Sequence, residues 1–166
     1  MFCQSIMQDA RQIIGASIEA VLPDAAVERA LSRHAVSRPV TLISIGKAGW
    51  RMADAAYRAL GGQNVKQGIV VTKYDHCEGP VGCMELYEAG HPVPDENSFR
   101  GTQAVLDMTE NLTQEDTVLF LLSGGGSALF EKPLVPGDVL QDITGQLLAC
   151  GADIVEINTI RKRLSA

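Results

Sequence analysis

The chain has no hydrophobic run approaching the ~18 residues that a membrane-spanning helix needs, so no membrane partner is expected. It is sparing with cysteine: Cys3, Cys77, Cys83 and Cys150 form no C-x-x-C pair. The opening MFCQSIMQDARQ lacks a basic stretch followed by a long apolar core. Reduced thiols and a cytoplasmic location are therefore the expectation. His76, Cys77 and Cys83 sit in a glycine-rich segment with the wrong spacing for a metal site, so no metal held by protein ligands is expected. Positive charge is also short, with 14 Lys and Arg against 20 Asp and Glu, a formal net charge of −6. That argues against nucleic acid and anionic membrane surfaces as partners. A small anion is not excluded, because a local site can oppose the global charge. There is no internal repeat and no low-complexity segment.

What is present suffices for one domain. Of 166 residues, 46% are apolar and 20% charged, a soluble globular composition. A chain of this length buries roughly 70% of its unfolded surface.

Apolar periodicity divides the chain into alternating elements. Phe2, Ile6, Met7, Ala10, Ile13, Ile14, Ala16, Val21 and Leu22 recur at helical spacing, predicting an amphipathic helix over 3–22 that ends before Pro23. Asp24 is expected to cap a second helix over 25–34. Val40–Ile45 reads as a strand, 48–60 as a helix closed by Gly61-Gly62, Gly68–Thr72 and Met84–Ala89 as further strands. Asp95 or Asn97 is expected to cap a helix over 98–111, and Asp138 one over 139–150. A last helix over 152–164 places Ile154, Ile157, Ile160 and Leu164 on one face, with Asn158, Arg161 and Lys162 left to others. Strand and helix alternate, so the fold class is α/β: a Rossmann-like, three-layer α/β/α arrangement around a largely parallel sheet.

The stretch that organises the chain is TVLFLLSGGGSALF, residues 117–130. Val118–Leu122 is five unbroken apolar residues, the pattern of a central strand covered on both faces. It runs into Ser123-Gly124-Gly125-Gly126-Ser127 and then a helix-like restart. Glycines let backbone N–H groups approach a ligand closely, and a helix start adds its positive end, so this is an anion seat. It is not a Walker A loop, since no Lys-Ser/Thr follows, and Leu129 stands where a dinucleotide fingerprint needs its third glycine.

A second such arrangement follows the first strand, where Gly46-Lys47-Ala48-Gly49 leads into a helix. Lys47 belongs at the C-terminal edge of the sheet, where open α/β folds bind ligands. His91, in the stiff Gly90–Pro94 segment, is placed to meet a ligand or to serve as a hydrogen-bonded structural residue. Arg161-Lys162-Arg163 is either a solvated helix end or the cationic wall of an anion site.

Four collinear segments, SIGKA (44–48), EAGHPVPDENS (88–98), LLSGGGSALFEKP (121–133) and NTIRKRLS (158–165), resemble the N-terminal domain of type 2 glycerate kinases, the bacterial family with a MOFRL C-terminal domain. The resemblance implies that residues 1–166 are the N-terminal domain of a longer two-domain kinase. It implies ATP-dependent phosphorylation of D-glycerate to 2-phosphoglycerate, with Mg2+ carried by the nucleotide. Lys47 matches the family's catalytic lysine, and Arg161 with Lys162 its basic pair; Arg163 stands where the family has histidine. Lys47 and Arg161 are thus the expected catalytic residues. Gly46, His91, Ser123, Gly124, Gly125, Gly126, Ser127, Asn158 and Lys162 are expected to bind substrate or phosphate. A second family arginine, from the C-terminal part, has no counterpart here. A homodimeric partner is left open. Two rivals stand beside this reading: a hydroxypyruvate reductase-type oxidoreductase, and a non-catalytic module that binds phosphosugars on the same glycine loop.

Overall fold

Four strands form the centre: β1 (Val40–Ile45), β2 (Val65–Lys73), β3 (Met84–Ala89) and β4 (Thr117–Leu122). They pair in the order β3-β2-β1-β4, every pair parallel. The computed structural model describes residues 2–36 and 38–166, with side chains from Ile6 onward. The side chains of Phe2, part of the expected apolar stripe, and of Cys3 lie outside the described residues. Helices fill the connections: α1 (Phe2–Val21), α2 (Pro23–Arg33), α3 (Gly49–Leu60), α4 (Glu96–Thr109), α5 (Gly126–Leu129), α6 (Gly137–Ala149) and α7 (Ile154–Leu164).

The pleat sorts β1 side chains to two cores. Val40 and Leu42 pack with Val27 of α2 and with Ala53 and Ala56 of α3. Ile43 and Ile45 pack with Val105 of α4 and Leu129 of α5. Helices therefore cover both faces of the β1–β2 pair, and the α/β three-layer expectation is correct there. The whole of β1 is buried, as a strand between two parallel neighbours must be.

β4 departs from the expectation. Among the described residues it lies at the edge of the sheet, not at its centre, and its burial alternates. Leu119 and Leu121 join the α2–α3 core, whereas Val118, Phe120 and Leu122 face outward, Leu122 with 63% of its surface exposed. Phe120 meets Phe130 edge-on, with centroids 6.4 Å apart. An unbroken apolar run says that both faces tolerate cover; it does not say that the flanking helices supply it. α1 is similar. Its helix forms as the spacing predicts, yet Ile6, Met7, Ile13, Ile14, Ile18 and Val21 are all exposed.

Two expected caps are not caps. Pro23 opens α2 at its first turn, which moves Asp24 inside the helix. There its carboxylate pairs with Arg51 and Arg58 of α3. α6 begins at Gly137 after Pro136, so Asp138 lies in the first turn and accepts from the Val139 amide. Asp95 does cap α4, in a reciprocal box with Ser98. β2 starts at Val65, three residues early, because Val65 and Gln67 extend the ladder with β1 around an irregularity at Val40/Thr41. The last helix also turns differently: Ile157 and Arg161 are buried, and Ile154 and Ile160 are exposed.

Candidate functional site

In a sheet ordered β3-β2-β1-β4 the strand order reverses between β1 and β4, and the crevice beyond their C-terminal ends is where such folds hold ligands. The two candidate loops leave the sheet there side by side. The Ser123 amide donates to the Ile45 carbonyl at 2.9 Å, and the Lys47 amide to the Gly124 carbonyl at 2.9 Å. Ser123 Oγ accepts from the Ala48 amide at 3.0 Å. Gly46 has φ 116°. A Cβ there would lie 2.6 Å from the Ser123 carbonyl oxygen, so glycine is needed for the two loops to touch. Thr72, on β2, locks the same corner by donating to the Gly46 carbonyl at 2.9 Å.

Gly125 is the point of convergence. Its φ is 88°, and a Cβ on it would lie 3.0 Å from His91 Cδ2 and 3.1 Å from Lys47 Cε. Lys47, His91 and the glycine turn thus share one rim, as a single ligand site requires. Lys47 is exposed, and its Nζ forms no ion pair among the described residues. The amides of Gly124, Gly125, Gly126 and Ser127 likewise have no protein acceptor among the described residues. They form a run of consecutive unpaired donors, the kind of arrangement that cradles anionic oxygen. α5 is only four residues long, shorter than the expected helical restart, so the donors themselves and not a macrodipole carry the attraction.

His91 is held below its ordinary pKa, first by burial, then by the Lys47 and Lys73 charges, with Arg161 adding to them. It is therefore neutral at pH 7 and able to accept a proton. Beyond it a cavity of about 270 Å³ is lined by His91, Gly125, Ser127, Asn158 and Arg161, with Ile154 and Ile157 among its apolar residues. Residues 154, 157, 158 and 161 form one stripe of α7. That is the cavity-lining face of the helix, rotated from the Ile154, Ile157, Ile160 and Leu164 face the sequence suggests. Lys162 is exposed and does not line the cavity.

Arg161 is not a solvated helix end. It is 8% exposed and donates from Nη2 to Glu131 Oε2 at 2.6 Å and to the Ser127 carbonyl. The Asp153–Glu156 capping box fixes the start of this helix. Two contributors escaped the sequence reading. Glu131 has as its only local sign a carboxylate amid the apolar and basic residues Phe130, Lys132 and Pro133. Lys73 ends β2 one strand away from Lys47, and its charge reaches His91. At Cys77, burial and then the Glu88 charge push the thiol up to about 11, which keeps it protonated and a poor metal ligand. No cluster of three metal-ligating side chains occurs among the described residues.

Residues 9–166 match the family described as a domain of unknown function, DUF4147. The chain belongs to this family. Among curated relatives, D-glycerate 2-kinase of Thermotoga maritima is 53% identical over 98% of this chain and 39% of its own length. A crystal structure of glycerate kinase from Thermotoga maritima, 52% identical, superposes with a TM-score of 0.85 over 98% of this chain and 39% of that one. An Agrobacterium vitis relative, provisionally named as a hydroxypyruvate reductase, is 38% identical over 98% of this chain and 37% of its own length. The DUF4147 chain described here therefore spans about two fifths of the curated relatives it matches, and the resemblance to glycerate 2-kinases holds along nearly all of it.

Proposed function

We propose that this chain is the N-terminal domain of a two-domain kinase that transfers a phosphoryl group from ATP to D-glycerate, giving 2-phosphoglycerate. The observation that carries the reading is the meeting of Lys47, His91 and Gly125 at one rim, where a Cβ on Gly125 would touch both side chains. Phosphoryl transfer asks a protein mainly to position groups and neutralise charge. The free amides of Gly124–Ser127 offer donors to carboxylate or phosphate oxygen. Lys47 is the mobile cation beside them and stabilises charge on the transferring group. Arg161 and Asn158 hold the far end of the substrate in the cavity. Neutral His91 orients the attacking hydroxyl or takes its proton. Gly46 and Ser123 act one step back, since their polar groups are taken up in joining the two loops. Lys162 contributes field and not contact.

The groups present suit a nucleotide–Mg2+ complex through its phosphate oxygens. In this reading Mg2+ arrives with ATP and supplies charge neutralisation between the phosphates. A cytoplasmic location belongs to the same reading. The reductase alternative, which one relative's name suggests, needs a dinucleotide loop after β1, and Gly46-Lys47-Ala48-Gly49 is not one. Nicotinamide absorbance that changes on adding hydroxypyruvate would favour it.

The test is the full-length protein carrying this chain, with a coupled assay for 2-phosphoglycerate. Lys47→Ala is expected to lower kcat by about 10²-fold or more, the scale of losing one oxyanion-stabilising group. Near wild-type turnover in that variant removes Lys47 from the chemistry.

A further inference from the structure

Arg161 needs a reason to face the glycine loop. A guanidinium on an exposed helix end would extend into water, yet this side chain is only 10% exposed and lies against the Ser127 carbonyl. Its partner Glu131 is 3% exposed. Buried charges of this kind are held only where pairing and hydrogen bonds offset desolvation. Here the offset is specific. Glu131 Oε2 takes one Nη2 hydrogen at 2.6 Å, and Ser165 Oγ donates to Oε1. Because Ser165 occupies Oε1, the carboxylate does not close a two-point fork on the guanidinium. The Nη2 corner is fully engaged, by Glu131 and Ser127, while Nε is buried with no acceptor. Nη1 also has no hydrogen-bond partner among the described residues, so the guanidinium keeps donors that this chain leaves unpaired.

The backbone makes the arrangement stiff. Pro133 bridges Ser165, the Leu134 amide donates to the Leu164 carbonyl at 2.8 Å, and the Ala166 amide to the Lys132 carbonyl at 2.9 Å. The segment leaving the glycine loop is thereby stitched to the end of α7, with Glu131 at the seam.

From this we infer that Glu131 is a positioning residue. It anchors the Nη2 corner of Arg161 beside the glycine loop and so reserves the remaining guanidinium donors for an oxyanion of the bound metabolite. The inference rests on the proposed function only for the identity of that metabolite, a small hydroxy acid or its phosphate. Glu131 touches no substrate and acts through Arg161.

The full-length protein tests it, with KM and kcat for D-glycerate and Kd for D-glycerate by titration calorimetry. Glu131→Gln keeps an acceptor oxygen at the same reach and is expected to stay within about threefold of wild type in KM. Glu131→Ala releases the guanidinium and is expected to raise KM and Kd by about tenfold, the worth of one hydrogen bond to a charged group, with kcat largely kept. In an Arg161→Met background the same Glu131→Ala change is expected to have no further effect, because the residue it positions is gone. Should E131A fail to fold, E131D, which keeps the charge but shortens the reach, is expected to show the same rise. Wild-type KM and Kd in E131A or E131D, or an undiminished effect in the R161M background, overturns the inference. Wild-type protein that binds glycerate without turning it over refutes the kinase reading, and the Kd ratio still decides the role of Glu131. If wild-type protein binds neither glycerate nor inorganic phosphate, both readings fall.

Discussion

Gly124 and Gly125 are neighbours in sequence with opposite structural needs, which gives a paired test of the glycine turn. Gly125 sits at φ 88°, and a Cβ there meets His91 Cδ2 at 3.0 Å and Lys47 Cε at 3.1 Å. A non-glycine residue in left-handed backbone costs roughly 1–2 kcal/mol, before any crowding is counted. The crowding is real, because His91 is flanked by proline and gives way less easily than the lysine stem. For a domain of this size the Gly125→Ala variant should melt roughly 2–8 °C below wild type. Gly124 needs no left-handed backbone, and a Cβ on it would meet no atom within 4 Å. Gly124→Ala should therefore leave stability within about 0.5 kcal/mol. Its methyl enters the open space beside the four free amides, so it should raise KM while the melting temperature holds. Calorimetry and steady-state kinetics on the full-length protein separate the two effects. If G125A melts with wild type, or G124A falls as far as G125A, the division into a structural and a ligand-facing glycine is wrong.

His91 should titrate below the ordinary histidine value, because burial first and Lys47 second disfavour its charged form. Lys47→Met should move that titration upward, though not fully to normal, as read by histidine NMR against pH; no movement would separate the two residues. The sign for stability follows: the unfolded chain takes up this proton first, so His91 makes the fold less stable as pH falls from about 6.5 through the folded value. At the other end of the site, Asp153→Ala removes a side chain that accepts from the Val155 and Glu156 amides. It should cost about 0.5–2 kcal/mol in chemical denaturation. It should also loosen Arg161, so KM for glycerate should rise more than kcat falls.

The parts of the site that were legible in the sequence are those written locally. Strand, glycine and lysine at 40–47, and strand, serine and three glycines at 117–126, state both the element and the end of the sheet at which the loop emerges. That the two loops adjoin was not legible, since it depends on β4 pairing with β1 at a topological reversal. Arg161 was singled out as a cation, but its burial was not foreseen. The residue that buries it, Glu131, is 30 positions away in the chain, and ion pairs between distant segments leave no periodic trace. The helix-cap errors have a local cause. Pro23 opens α2 and Pro136 takes the N-cap position of α6, so Asp24 and Asp138 fall inside the first turn and are free for other partners, two arginines for Asp24 and a neighbouring amide for Asp138.

The edge position of β4 bears most directly on how the site works. A central strand would have put the glycine turn between two neighbouring loops, walled on both sides. As an edge strand, β4 has β1 and Lys47 on one side and an open apolar face on the other, with Val118, Phe120 and Leu122 exposed. Within this chain the walls are therefore unequal. Lys47, His91 and the cavity at Arg161 close one flank of the turn, and the apolar side chains of Phe120, Leu122 and Phe130 stand at the other. An anion seated on the four free amides would have Lys47 beside Gly125 and Arg161 at the Ser127 carbonyl as neutralising charges. Phosphoryl transfer needs charge compensation around the whole group and exclusion of water. By that requirement the open flank beside Phe120, Leu122 and Phe130 is expected to let this chain hold an anion while turning over little under the proposed kinase reading, which binding and turnover measured side by side on the chain and the full-length protein check.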